Sequence, residues 1–211
     1  MPTVSILTEE ALAALRHEIS ARIGEYRFRH TLGVEEAIAS LGALYLPHDV
    51  PRLRVAALLH DLTKEWTADE QIGFCCKQNL ALSPAEIAAP KVLHAKTGAV
   101  VAERDYGEYV DSEIIAAIRE HTVAAPNMSV FSALLYLADY IEPTRTYPDC
   151  VALRQAFYEG YNESRRYTHL FSIMARALQL SVDEVRSRGA EPIGETLSAL
   201  SFFREKAEAA I

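Results

Sequence analysis

The sequence predicts an all-α fold, and three observations support this prediction. Apolar residues recur at a spacing of three and four, as in Leu12, Leu15 and Ile19, which is the period of one helix face. Several such stretches begin with a capping motif, for example Thr67 followed three residues later by Glu70. No alternation of β-branched and polar residues is long enough to indicate a strand, and no Asn-Gly or Asp-Gly pair marks a hairpin turn.

Caps, prolines and apolar spacing predict the bounds of the individual helices. Pro51 and Pro84 fit first helical turns, and the segments Ser83 to Glu86 and Ser181 to Glu184 resemble capping boxes. Prolines and Gly189 predict the ends of helices. The predicted helices span residues 8–23, 26–45, 51–61, 67–79, 84–88, 91–106, 112–121, 129–141, 149–160, 164–179, 182–188 and 194–210.

Length and charge limit the class of protein. The 211 residues suit a single domain, with a core at about residues 20–160 and a helical extension at about residues 161–211. With 21 basic and 29 acidic residues the net charge is −8, which argues against a duplex nucleic-acid partner. The longest uncharged stretch, Thr122 to Ala138, contains Pro126 and is too short to span a bilayer. Three cysteines without a CxxC pair and the lack of a basic leader favour a cytoplasmic protein.

Buried ionisable residues are the strongest functional signal. His30, His60, His94 and His121 lie in segments rich in small apolar residues, and Asp139 has a similar setting. Burying several imidazoles and a carboxylate is costly unless each has a partner, and a cation is a partner that all of them can share. A single such histidine is more often a hydrogen-bonded core residue than a ligand. The argument for a metal therefore rests on the group.

The segment from Val55 to Lys64 is the most informative part of the chain. Five apolar residues are followed by His60 and Asp61, and Lys64 comes three residues after the aspartate. On a helix these polar groups would converge on one cavity. The alternative for Lys64 is a solvated helix end, ion-paired with a neighbouring glutamate such as Glu65.

The pattern of His30, His60-Asp61 and Asp139 resembles the HD phosphohydrolase superfamily, and His-Asp-Leu-Thr-Lys64 matches its HDxxK form. Further motifs resemble the bacterial YqeK family, which is known as a symmetrical diadenosine tetraphosphate hydrolase. The resemblance covers about residues 20–160 and implies an HD-domain helical bundle with additional C-terminal helices. The further motifs are Arg27-Phe-Arg-His30-Thr-Leu-Gly33-Val, Leu93-His94-Ala, His121-Thr122 and Asp139-Tyr-Ile-Glu-Pro-Thr-Arg145.

The resemblance also implies a metal site. It makes His30, His60, Asp61 and Asp139 the ligands of a metal, with iron favoured, although a nitrogen and oxygen set of this kind also suits manganese or zinc. His94 and His121 either hold a second ion, with Asp61 bridging the two ions, or contact the phosphates of the substrate. Of these two roles, contact with the substrate is the one expected first.

Roles in catalysis follow from phosphoryl chemistry. Asp61 would position the attacking water, and Lys64 would neutralise charge that develops on the phosphates. Gly33 would permit close approach of a ligand, Thr122 would offer a hydroxyl group and Arg145 would grip a phosphate at two points. The alternatives are helix packing for Gly33 and a helix cap for Thr122.

The expected function is metal-dependent hydrolysis of diadenosine tetraphosphate to two ADP by a metal-activated water. The expected partner is this small dinucleoside polyphosphate, with no nucleic acid and no membrane, and a homodimer is one option for the assembly. Two alternatives stay open at this point. One is an HD phosphohydrolase that acts on another nucleotide, and the other is a non-catalytic, metal-containing nucleotide-binding regulator.

Overall fold

The computed structural model describes residues 7–209, and these residues form eleven α-helices and no β-strand. Three single turns of 3-10 helix, at Pro47–Asp49, Pro90–Val92 and Glu163–Arg165, connect some of them. The all-α prediction is confirmed. The helices are α1 (Glu9–Arg22), α2 (Glu25–Tyr45), α3 (Val50–Leu59), α4 (Ala68–Lys77), α5 (Pro84–Ala88), α6 (His94–Asp105), α7 (Ser112–Glu120), α8 (Val130–Ile141), α9 (Pro148–Gly160), α10 (Arg166–Ser187) and α11 (Gly194–Ala209).

Helices α3 and α8 lie at the centre of the bundle. Helix α2 packs against both of them, and α7 bridges α3 and α8 on another side while also packing against α6. The side chains of α3 from Val55 to Leu59 are at most 1% exposed, which explains why this segment is apolar on every face. Among the described residues, no helix has the length and apolar character needed to cross a membrane.

The C-terminal part of the chain is a pair of long helices. Helices α10 and α11 pack against each other, and α10 also contacts α8 and α9. The predicted break between residues 179 and 182 is wrong, because α10 runs without interruption from Arg166 to Ser187. The hydroxyl group of Ser181 pairs with that of Tyr136 at 3.0 Å instead of capping a new helix, and Val182 is buried in the core.

The capping boxes at Thr67 and Ser83 are confirmed, but α3 is shorter than predicted. The helix ends at Leu59, and residues 60–66 form consecutive turns with hydrogen bonds between residues three apart, such as Lys64 N to Asp61 O at 3.1 Å. Buried side chains hold these turns. Gln71 donates to the carbonyl of Thr63 at 2.6 Å, and the Thr63 hydroxyl donates to the carbonyl of His94 at 3.1 Å.

Candidate metal centre

The structure brings the predicted ionisable residues together at one end of the bundle. His30 comes from α2 and Asp139 from the last turn of α8, whereas His60 and Asp61 lie directly after α3. The site is completed by His94, the first residue of α6, and His121, the residue that follows α7. Each of the four histidines is at most 8% exposed, and Asp61 is 3% exposed. Five elements of the chain thus contribute to one buried polar cluster.

One half of the cluster surrounds the Oδ2 atom of Asp61. This atom lies 3.3 Å from His60 Nε2 and 3.7 Å from His30 Nε2. His30 Nε2 also lies 3.0 Å from Asp139 Oδ1. The candidate ligand atoms of His30, His60 and Asp139 all lie within 4.8 Å of one another, which is close enough for one ion to contact all three.

The other half of the cluster surrounds the Oδ1 atom of Asp61. His94 Nε2 lies 3.2 Å from this atom, and His121 Nε2 lies 3.7 Å from it. The two Nε2 atoms are 3.0 Å apart. The carboxylate of Asp61 therefore separates two groups of imidazole nitrogens, one at each oxygen.

Backbone hydrogen bonds determine which nitrogen atoms face the cluster. In His60, His94 and His121 alike, Nδ1 lies 2.6 Å from the carbonyl oxygen of the residue three positions earlier. A carbonyl oxygen only accepts, so Nδ1 carries the hydrogen and Nε2 of the neutral ring presents a lone pair. Three lone pairs thus converge on the carboxylate of Asp61, and a cation is the species that attracts all of these groups.

His30 is oriented by a carboxylate instead of a backbone carbonyl. Its Nδ1 lies 3.2 Å from Glu142 Oε1, and Glu142 is 1% exposed. Glu142 also accepts hydrogen bonds from the backbone N–H and the hydroxyl group of Thr144, at 2.6 and 2.7 Å. No role was predicted for Glu142 from the sequence. The signal for it is its place within the motif Asp139-Tyr-Ile-Glu-Pro-Thr-Arg145, directly before Pro143.

The loop that carries Glu142 is fixed from behind by Arg154 of α9. The guanidinium group of Arg154 donates to the carbonyl oxygens of Ile141, Glu142 and Arg145, at 2.6, 2.5 and 2.8 Å. These bonds hold the backbone on both sides of Pro143. The positions of Glu142 and Arg145 relative to the cluster are therefore set by α9 as well as by α8.

The pKa values in the cluster reflect burial and neighbouring charges. Burial lowers the pKa of His94 to about 4, so this imidazole is neutral near pH 7. Burial also lowers the pKa of His30, but the neighbouring carboxylates of Asp139 and Glu142 outweigh this effect and raise it to about 9. Burial raises the pKa of Asp61, yet the surrounding imidazoles of His60, His121 and His94 hold it well below its usual range.

A cation fits the residues that are present. The buried atoms His30 Nε2, His60 Nε2 and Asp61 Oδ1 have no hydrogen-bond partner, although unpaired buried polar atoms are rare in proteins. A set of imidazole nitrogens and carboxylate oxygens suits iron, manganese or zinc. The HD residues therefore form a candidate centre for a divalent metal.

Solvent reaches the cluster through a cleft of about 410 Å³, here called the central cleft. Three cationic side chains reach the cluster: Arg27 pairs with Asp61 at 2.7 Å, Arg145 pairs with Asp139 at 2.6 Å, and Lys64 Nζ lies 3.1 Å from His94 Nε2. The cleft is thus suited to an anionic ligand. It is lined by Tyr26, Arg27, Arg29, His30, Asp61, Lys64, Asp139, Glu142, Thr144, Arg145, Thr146 and Tyr147.

Thr122 and Gly33 were both predicted to contact the substrate, and they lie in different surroundings. Thr122 Oγ1 lies 3.1 Å from His94 Nε2, at the edge of the cluster. Gly33 is buried and is not among the residues that line the central cleft, and its contact with a ligand stays a prediction. A Cβ atom at Gly33 would lie 2.3 Å from Glu142 Oε2. The missing side chain makes room for the carboxylate that orients His30.

Two exposed aromatic residues at the cleft were not among the predicted site residues. Tyr26 is 76% exposed and Tyr147 is 66% exposed, and both line the central cleft. Large exposed aromatic side chains often contact a ligand, since water otherwise covers their apolar faces. Their exposure depends on the tertiary structure, so the spacing of aromatic residues in the sequence did not reveal it.

Comparisons with known proteins agree with this geometry. The family model described as HD domain matches residues 27–144. The symmetrical bis(5'-nucleosyl)-tetraphosphatase of Halalkalibacterium halodurans is 32% identical over 136 residues, which cover 64% of this chain and 71% of the relative. The protein of the same name from Bacillus subtilis is 30% identical over 158 residues, covering 74% of this chain and 80% of the relative.

A solved structure has the same fold over nearly the whole chain. It is described as a predicted HD superfamily hydrolase involved in NAD metabolism from Clostridium acetobutylicum. The TM-score is 0.81 at 26% identity, and the match covers 92% of this chain and 97% of that one. Together with the family match and the two relatives, it shows that this chain belongs to the HD domain family, alongside the symmetrical bis(5'-nucleosyl)-tetraphosphatases.

Proposed function

We propose that this chain hydrolyses diadenosine tetraphosphate at its central bridging oxygen and releases two ADP. The names of its relatives support this reaction. The observation that carries it is the Asp61 carboxylate, which lies between two groups of imidazole nitrogens at the base of a cationic cleft. Such a site combines metal ligands with groups that neutralise a polyphosphate.

We assign two metal sites to the cluster. His30, His60, Asp61 and Asp139 would hold the first ion, for which we propose iron. Asp61 would also bind a second ion, together with His94 and His121. When bound, divalent ions at such a site lower the pKa of water and draw charge from phosphoryl oxygens.

The side chains of the chain itself supply position and charge. Lys64 lies beside His94 and between the cluster and solvent, where its ammonium group can neutralise the phosphates next to the bond that breaks. Arg27 and Arg145 already contact the two carboxylates of the cluster and can donate to phosphate oxygens at the cleft. The hydroxyl group of Thr122 can donate to a further oxygen.

The leaving group and the nucleoside need different surroundings. The leaving phosphate carries negative charge, so Lys64 and Arg27 favour its departure. One adenine can stack on Tyr26 or Tyr147, which are exposed at the mouth of the cleft.

The cytoplasmic location, the homodimer and the division into core and extension stay predictions from the sequence.

The products of the reaction test the proposal. Purified protein is incubated with diadenosine tetraphosphate and either ferrous iron or manganese, and the nucleotides are separated by ion-exchange chromatography. ADP as the only product supports central cleavage. ATP together with AMP would contradict the symmetrical assignment, and an absence of turnover with each metal would contradict the enzyme itself.

The number of ions is tested separately, by elemental analysis of protein purified without oxygen. We expect close to two ions for each chain. Replacing both His94 and His121 with alanine should lower this number to about one, because the first set of ligands is left intact. Retention of both ions in that variant would contradict the second site and favour phosphate contacts for these two histidines.

A further inference from the structure

A second cavity adjoins the central cleft on the side of Lys64. This side cavity has a volume of about 500 Å³ and shares Arg27 and Lys64 with the central cleft. Its other walls are formed by residues 66–68, by Gln71 and by the turn at Pro90 and Lys91. Its size falls in the range of roughly 300–1,000 Å³ that is common for small-molecule sites.

The charge of the side cavity is unlike that of the whole chain. The chain has a net charge of −8, but within residues 7–209 no acidic residue lines the side cavity, whereas Arg27, Lys64 and Lys91 do. In the described part of the chain, Lys64 and Lys91 form no ion pair with a carboxylate. An anion is favoured here.

An aromatic ring also lines the side cavity. Trp66 is partly buried, and Phe74 packs against its ring in an edge-to-face arrangement with ring centroids 5.3 Å apart. This packing holds the indole in the wall of a cavity that Lys64 and Lys91 also line. An indole and cationic side chains in one cavity suit a nucleotide, since the base can stack on the ring while phosphates contact the cations.

The symmetry of the substrate explains why two cavities are needed. Cleavage at the central oxygen leaves one ADP on each side of the metal centre, so the two halves of the substrate extend away from it in different directions. We propose that the side cavity binds the second ADP half of the dinucleotide, with its adenine stacked on Trp66. This inference rests on the proposed function. The first half occupies the central cleft beside Arg145.

Arg27 and Lys64 have a particular place in this arrangement. They line both cavities and so lie where the two halves of the substrate join. The backbone of Lys91 connects the side cavity to the cluster, because its carbonyl oxygen accepts a hydrogen bond from His94 Nδ1 at 2.6 Å. The wall of the side cavity and the orientation of a candidate metal ligand therefore depend on the same turn.

A test uses the fact that Trp66 is the only tryptophan in the chain. The probe is the analogue of diadenosine tetraphosphate in which a methylene group replaces the central bridging oxygen, and its binding is followed by calorimetry and by fluorescence. Binding should change the tryptophan fluorescence of the wild-type protein. Calorimetric binding without any change in fluorescence would overturn the inference.

Steady-state kinetics provide a second test of the side cavity. Diadenosine tetraphosphate is compared with adenosine 5'-tetraphosphate, which has the same four phosphates but a single adenosine. Trp66→Leu should raise KM for the dinucleotide, relative to KM for the mononucleotide, about tenfold. Trp66→Phe should recover much of this loss, because a ring remains available for stacking. Phe74→Leu removes the ring that packs against Trp66 but keeps the indole, so it should change the ratio of the two KM values much less than Trp66→Leu does.

The outcomes separate the two proposals. If the wild-type enzyme releases two ADP and Trp66→Leu leaves the ratio of the two KM values the same, the side cavity is not the second subsite. An equal change of the ratio in Trp66→Leu and Phe74→Leu would likewise assign Trp66 a packing role only. If the wild-type enzyme fails to cleave the dinucleotide, the proposed function itself is refuted.

Discussion

Replacing Gly33 with alanine tests the link between helix packing and the metal centre. The new Cβ would lie 2.3 Å from Glu142 Oε2, whereas ordinary contact begins near 3.4 Å, so the carboxylate must move by about 1 Å. Glu142 is fully buried and is held by hydrogen bonds to His30 and to two groups of Thr144, at 3.2, 2.6 and 2.7 Å. A shift of this size breaks or lengthens these bonds.

The expected effect is larger on metal binding than on folding. Loss of the partner that orients a metal-ligating histidine usually lowers metal affinity about 10- to 100-fold. Crowding of a packed site costs about 1–3 kcal/mol of folding free energy, which lowers Tm by about 2–4 °C for each kcal/mol in a chain of this size. Calorimetric titration with manganese measures the first quantity, and thermal unfolding in a chelator measures the second.

Two further variants make the result decisive. Gly73→Ala is the matched control, because a Cβ there meets nothing within 4 Å and alanine is the better helix former. The double variant Gly33→Ala with Glu142→Asp shortens the acid and should recover part of the metal affinity. If Gly33→Ala binds manganese as tightly as the wild-type protein, Glu142 does not position His30 and the reasoning is refuted.

Four further predictions concern the cluster and its supports. Asp61→Ala should lose both its metal and its activity. Lys64→Ala should keep its metal but lose about 2.7–4 kcal/mol of transition-state stabilisation. Full turnover by Lys64→Ala would contradict the role of this lysine. A chelator should lower Tm, because a ligand at 100 times its Kd stabilises the fold by about 2.7 kcal/mol, and an unchanged Tm would contradict a bound metal. Gln71→Leu removes a hydrogen-bond partner of the Thr63 carbonyl and of the Thr97 hydroxyl. It should lower the free energy of unfolding, measured by chemical denaturation, by about 1–3 kcal/mol. Burial raises the pKa of Glu86, but Lys96 and Ser83 lower it below its ordinary value overall. The ionised Glu86 therefore stabilises the fold above about pH 4.5, and this contribution is lost as the pH falls. Lys96→Met should reduce the loss of stability in acid.

Much of the fold was predictable because helix signals are local. Apolar spacing and capping boxes such as that at Thr67 depend on residues within one or two turns, and the structure confirms them. The error at Ser181 has the opposite origin. Its sequence context looks like a cap, but the hydroxyl group finds a partner in Tyr136, 45 residues away, and the helix continues.

The end of α3 shows the same limit. The prediction carried the helix through Asp61, whereas the structure ends it at Leu59. The turns that follow are held by Gln71 and by the contact between Thr63 and His94, and such long-range hydrogen bonds leave no periodic trace in the sequence. The side chains of His60 and Asp61 still face the cluster, because the turns keep them adjacent.

The candidate site could be predicted as a set of residues but not as an arrangement. Buried histidines and the HD pair indicated which side chains would meet. The supporting residues were harder to find, since the role of Glu142 depends on space left by Gly33, more than a hundred positions earlier. The exposure of Tyr26 and the position of Trp66 beside a cationic cavity likewise depend on packing between distant segments.

Anomalous X-ray scattering tests the central claim most directly. Crystals of the chain are loaded with ferrous iron without oxygen, and data are collected on both sides of the iron absorption edge. We predict two anomalous peaks, one among His30, His60 and Asp139 and the other beside Asp61 Oδ1 between His94 and His121. Iron that binds elsewhere, with these imidazoles turned away from Asp61, would contradict the account.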